Sequence, residues 1–177
     1  MKKTFRFILI IVIMLLLALC LTSIAYAQTA LDSGQAEISI EAAPASAAPA
    51  ATFFGKAIGG VTPGDLFYID ATNSPQDMTI SLYITNADVL IHYLRYLTLR
   101  VGFYVEDGNG QWQKMTSQDG GVLPDTYITL QTSTVDIVLP GLGHYKVTID
   151  SGCYNCFSTP SDGSNMAPSF YLNVEAT

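Results

Sequence analysis

The most motif-like stretch of the chain is Cys153-Tyr154-Asn155-Cys156. A redox CxxC pair needs its first thiol at a helix N-terminus, where the helix dipole stabilises the thiolate. Here a strand-like pattern precedes the pair and the loop-forming sequence FSTPSDGSN follows it. A zinc ribbon needs a second cysteine pair; with His144 as a third ligand, no further cysteine follows residue 27. The expectation is a structural disulfide, Cys153 to Cys156, pinning a strand exit and contributing roughly 2 kcal/mol.

Other chemistry is sparse. Two histidines, His92 and His144, are too few for most familiar site designs, and no HExxH, GxSxG or phosphate-loop pattern occurs. Asp107-Gly108-Asn109-Gly110 lacks the further carboxylates of a calcium loop and is explained by a hairpin turn. Leu123-Pro124-Asp125-Thr126 resembles the start of a sortase signal, but Tyr127 stands where that signal needs glycine. A Ser-His-Asp triad or a carboxylate pair is a geometric object that sequence alone does not place. No catalytic residue, metal or cofactor is therefore expected, and an exported hydrolase ranks third among the readings.

Two features could bind rather than react. If strand alternation sets the faces, Tyr68, Tyr83, Tyr104, Tyr127 and Tyr171 all point away from the core. Outward tyrosines offer flat apolar rings with a polar tip, suited to glycans and protein interfaces, though tyrosine also favours strands for packing alone. The second feature is an arm, Gln35 to Ala42, in which Ala36, Ile38, Ile40 and Ala42 share one face. Such a segment can add to a sheet edge. In cis it completes the fold; in trans it links copies head to tail into a filament. Trp112, beside a hairpin turn, reads as core.

The elements that must position these residues are strands. From Leu97 the sequence LTLRVGFYV sets Leu97, Leu99, Val101, Phe103 and Val105 on one face. The same period recurs at Ile80/Leu82/Ile84, Ile128/Leu130, Val135/Ile137/Leu139, Tyr145/Val147/Ile149 and Phe170/Leu172/Val174, and less cleanly at Phe67/Ile69/Ala71. With Trp112 this makes about eight strands. Gly-rich turns separate them, and only Asn86 to Tyr96 suggests a helical turn, with Leu90 and Leu94 inward. The fold class expected is an all-β sandwich.

Lys2, Lys3 and Arg6 precede fifteen apolar residues, Phe7 to Leu21, and Ala25-Tyr26-Ala27 supplies a cleavage pattern. Residues 1–27 thus read first as a secretory signal peptide cleaved after Ala27, since fifteen apolar residues fall short of the ~20 needed to span a bilayer. Stretched to Ile24 the segment could just span, and a retained anchor is the alternative. Three of the eight basic residues lie there, leaving five against fifteen acidic residues, a formal net charge of −10. That charge argues against nucleic acid and membrane-surface partners. Residues 28–52 read as an Ala/Pro-rich flexible arm with a strand at 35–42, and residues 53–177 as the sandwich domain.

The stretch Pro140-Gly141-Leu142-Gly143-His144-Tyr145-Lys146-Val147 resembles the turn-then-tyrosine entry to a late strand in bacterial immunoglobulin-like domains. The resemblance implies an antiparallel sandwich with a tyrosine corner at Tyr145, and no activity. The function expected is a secreted, non-catalytic binding or structural module at or outside the cell surface. Its partner would be a glycan, a protein, or a second copy of itself.

Overall fold

The structure, a computed structural model, describes residues 29–31, 38–49, 58–118, 121–122, 125–158 and 166–176. The expected signal peptide, Ala36 of the arm and most of the loop after Cys156 lie outside these residues. The strands are β1 (Thr29–Leu31), β2 (Ser39–Ala42), β3 (Ile58–Val61), β4 (Gly64–Asp70), β5 (Met78–Ile84), β6 (Leu94–Glu106) and β7 (Trp112–Lys114). They continue with β8 (Ser117–Gln118), β9 (Gly121–Val122), β10 (Thr126–Thr129), β11 (Thr134–Leu139), β12 (His144–Cys156) and β13 (Phe170–Ala176).

Each apolar alternation in the sequence is one of these strands, with its apolar side buried. Met78, Ile80, Leu82 and Ile84 of β5 face inward with Val135, Ile137 and Leu139 of β11 and Phe170, Leu172 and Val174 of β13. These three strands, with β1, form a four-stranded sheet in the order β1-β13-β5-β11. The opposing sheet runs β10-β6-β12-β4-β2, with β3 beside β12 and β7 beside β6. Its inner face carries Leu97, Leu99, Val101 and Phe103 of β6, Tyr145, Val147 and Ile149 of β12, and Phe67 and Ile69 of β4. Both sheets are antiparallel apart from the β1–β13 pair. Each buried aliphatic side chain contributes about 1.5–3 kcal/mol by leaving water, so this shared core holds the sheets face to face.

At Tyr145 the phenol reaches back to the carbonyl of Gly141 at 3.5 Å, as a tyrosine corner does. The turn before it places Leu142 at φ 57°. The strand order departs from the antibody arrangement, in which the last two strands are neighbours. Here β13 pairs with β5 in one sheet, while β12 lies between β6 and β4 in the other.

The sequence undersold the length of β12. Its apolar alternation stops at Ile149, yet the strand runs to Cys156, because pairing to β6 and β3 continues past register shifts at Ile149/Ser151 and Asn155/Cys156. This corrects the expected disulfide. Cys153 and Cys156 are free thiols within one extended strand, Cys153 exposed and Cys156 buried. Three residues of strand place the two Cα atoms about 10 Å apart, with side chains on opposite faces, whereas a disulfide needs less than about 7 Å. Alkylation of the native protein should therefore label Cys153 quickly and Cys156 only on unfolding. Protection of both thiols without reductant would restore the disulfide.

The only helical element among the described residues is one turn, α1 (Ala87–Leu90), with Leu90 buried. Asn86 does not cap it with its side chain. Its amide instead donates to the Ala167 carbonyl at 3.0 Å and accepts from the Ser169 N–H at 2.9 Å, tying this turn to the approach to β13.

The arm is part of the sandwich. Strand β2 pairs antiparallel with β4 of its own chain, Ser39 opposite Asp70 and Glu41 opposite Tyr68. Ile38 is buried and Ile40 packs against the core, but Ala42 is exposed and Ala43 is the next buried residue. The Ala/Pro stretch beyond it is not a free tether: Ala47 N–H donates to Pro44 at 2.8 Å and Asp65 N–H to Ala47 at 2.8 Å. Gly64 permits this approach, since an added Cβ would stand 2.6 Å from the Ala47 carbonyl oxygen.

Candidate functional site

The five outward tyrosines do not share one face. Tyr68, Tyr104 and Tyr127 stand on the outer surface of the seven-stranded sheet, Tyr83 and Tyr171 on that of the four-stranded sheet. The two surfaces differ in what already occupies the rings.

On the seven-stranded sheet the register builds a row of alternating charge and aromatic ring: Glu41, Tyr68, Lys146, Tyr104 and Lys114, one from each of β2, β4, β12, β6 and β7. Trp112 leans over this row, its ring centroid 6.1 Å from that of Tyr68. Trp112 was expected in the core; it stands half-exposed on the outer face. The missed signal was Lys114, since residues two apart in a strand share a face. The ammonium of Lys146 lies 5.2 Å from the centroids of both Tyr104 and Trp112, a cation–π arrangement. Lys146 also donates to both oxygens of Asp65, at 3.2 and 3.3 Å.

The carboxylates here are equally committed. Tyr68 donates to Asp65 at 2.7 Å; its burial, then that bond, push the phenol up to about 12. Asp150 accepts from Tyr104 at 3.0 Å, from Thr148 at 2.7 Å and from Lys114. Desolvation draws the Asp150 carboxyl upward, but these donors outweigh it and hold it below the usual carboxylate range. The side chains of Lys146 and Asp150 are each only 15% exposed. This surface is a small polar and aromatic core whose members satisfy one another.

His144 extends the network along β12. Its Nδ1 lies 2.6 Å from Glu106 Oε2 and its Nε2 3.3 Å from Asp70 Oδ1, bridging β12 to β6 and β4. The Glu106 bond raises the imidazole pKa, against desolvation, and Asp70 adds to the rise. A raised folded-state value means that this stability is full below the unfolded value, about 6.5, and is lost as pH rises through the folded value. Thermal stability should therefore fall modestly over that interval, and His144→Gln should flatten the fall. An unchanged slope in the variant would assign the pH dependence elsewhere.

Tyr127, on β10 opposite Arg100, is 46% exposed and stands apart from the other rings. Arg100 is engaged by Asp125 at 2.6 Å.

The four-stranded sheet is different. Tyr83 and Tyr171 are direct cross-strand partners on β5 and β13, ring centroids 6.0 Å apart and tilted by 49°. They line an open cleft of about 500 Å³ together with Ile84, Thr85 and Asn173. Thr134 of β11 lies opposite Tyr83 and completes their row. The next row is Asn173, Ser81 and Asp136, in register across β13, β5 and β11. Asn173 donates to Glu175 at 2.8 Å, which fixes its amide. Among the described residues no Lys or Arg lies over either tyrosine ring. What the surface offers is two uncapped rings beside a hydroxyl, an amide and a carboxylate.

No family model and no curated protein matches the sequence. Among solved structures, a chain described as Family 16 Carbohydrate Binding Module-2 is similar at 10% identity and a TM-score of 0.18, over 58% of this chain and 70% of that one. A likeness so slight bears on neither fold nor function.

Proposed function

We propose that this protein is an exported, non-catalytic binding module, a variant of the immunoglobulin-like sandwich, whose ligand is a glycan held on Tyr83 and Tyr171. The observation that carries this reading is the uncapped tyrosine pair at the mouth of an open cleft. Sugar rings present C–H faces to aromatic rings and hydroxyls at their rims, and Asn173, Ser81, Thr134 and Asp136 are the matching hydrogen-bonding groups. Export is supported by the basic, apolar and Ala-x-Ala pattern of residues 1–27. The seating of β2 on its own β4 favours a self-contained module over a filament built by arm exchange.

The test is binding of the chain lacking residues 1–27 to soluble glucans, mannans, xylans and polyuronates by affinity electrophoresis and calorimetry. Tyr83→Ala and Tyr171→Ala should each weaken the retained polysaccharide roughly thirtyfold, as hot-spot aromatics do. Their melting temperatures should stay close to the parent's, because only a surface cross-strand pair is lost. Retention undiminished in the double variant would remove this cleft as the site.

A further inference from the structure

We propose that the Tyr83–Tyr171 cleft takes an uncharged glycan and discriminates against uronic-acid and sulfated chains; this rests on the reading of the cleft as a glycan site. The four strands of its sheet contain no Lys, Arg or His. They do contain Asp136 and Glu175, both exposed and both outward, within two rows of the tyrosines. Rows along a strand are about 7 Å apart and neighbouring strands about 4.8 Å apart. Any ligand lying over both rings and the Asn173–Ser81–Asp136 row therefore sits within about 10 Å of these two carboxylates.

The described cations that might offset them are elsewhere. Arg100, Lys114 and Lys146 lie on the outer surface of the opposite sheet, where each is paired with a carboxylate, and Arg95 belongs to β6 of that same sheet. Packed sheets are about 10 Å apart, and outward side chains on the far side are farther still. The screening length at physiological ionic strength is about 8 Å, so those cations contribute little to the field at the cleft. An anionic sugar would meet two like charges with no counter-charge from the described residues of that sheet. A neutral sugar would instead offer hydroxyl donors to the same carboxylates, and an ionised carboxylate can accept from two adjacent hydroxyls. The three rows from Tyr83 through Ser81 to Thr79 span roughly 14 Å along the strand, which suits a short run of sugar units rather than one ring.

The experiment compares neutral gluco-, manno- and xylo-oligosaccharides with oligouronates and sulfated oligosaccharides, on the parent chain and on Asp136→Asn and Glu175→Gln. The expected result is at least roughly fivefold tighter binding of a neutral oligomer at low ionic strength, with the gap narrowing in high salt. The charge-removing variants should narrow it too, by gaining anionic binding. Tyrosine-dependent binding of neutral and anionic chains with equal affinity would overturn the neutral preference and leave the glycan site standing. Absence of binding to every chain tested would overturn both.

Discussion

Ile38→Asp is expected to lower the stability of the chain lacking residues 1–27 by about 3 kcal/mol while leaving its mass in solution unchanged. Ile38 is 4% exposed and belongs to the hydrophobic core, although it enters from an arm at the edge of the fold. Full burial of an isoleucine contributes about 1.5–3 kcal/mol. A carboxylate in its place has no partner and pays a desolvation penalty large enough to favour undocking. Undocking would also release the pairing of Ser39–Ala42 with β4 and the packing of Ile40. The loss is bounded by what the arm contributes, because the core between the sheets survives without it. For a domain of this size the shift in melting temperature would be roughly 10 °C. Light scattering on parent and variant decides between arm geometries. Large species in the parent that fall apart in Ile38→Asp, with melting unchanged, would place the arm on a neighbouring copy.

Gly102→Ala is expected to cost about 1–3 kcal/mol, although it adds one methyl group. An added Cβ at Gly102 would stand 2.5 Å from Thr148 Oγ1 and 2.7 Å from Asp150 Cγ. Contacts that close do not persist, so the carboxylate must move. Asp150 cannot move cheaply, because Lys114, Thr148 and Tyr104 all converge on it. Displacement would leave the Tyr104 hydroxyl and the Lys114 ammonium without their acceptor. A double-mutant cycle isolates this cause. In an Asp150→Ala background the same Gly102→Ala change should cost distinctly less, since one of the two colliding groups is gone and Thr148 is freed from its bond to Asp150 and can turn aside. Equal costs in both backgrounds would place the cost at Thr148 or in the backbone rather than at Asp150. Binding at the cleft on the other sheet should be unaffected, which separates this network from the proposed glycan site.

Much of the fold was legible in the sequence because burial on one face of a strand imposes a period of two, and side chains record it directly. Leu97 to Phe103, Ile80 to Ile84 and Phe170 to Leu172 needed no tertiary information, and the outward phase of Tyr68, Tyr83, Tyr104, Tyr127 and Tyr171 followed from theirs. The return of the Tyr145 hydroxyl toward the Gly141 carbonyl is likewise local, since the two are only four residues apart. Where pairing rather than burial extends a strand, the period is silent. The sequence DSGCYNC has no alternation to announce a strand, and placing the strand exit at the cysteine pair produced a disulfide that an extended backbone cannot close.

Which outward residues meet was decided only by tertiary structure. Tyr83 and Tyr171 are 88 positions apart in sequence, and Tyr68 and Trp112 are 44 apart, yet each pair shares a surface. Strand register and strand order set those meetings, and neither leaves a trace in local composition. The same is true of the cations. By sequence alone Lys146 was one more surface charge, but β12 runs between β4 and β6 and carries it beneath Tyr104 and Trp112. The sequence by itself determined that the tyrosines point away from the hydrophobic core, because that depends on near neighbours along one strand. Tertiary structure alone decided which rings are engaged by cations and carboxylates among the described residues, because that depends on what distant strands place over them.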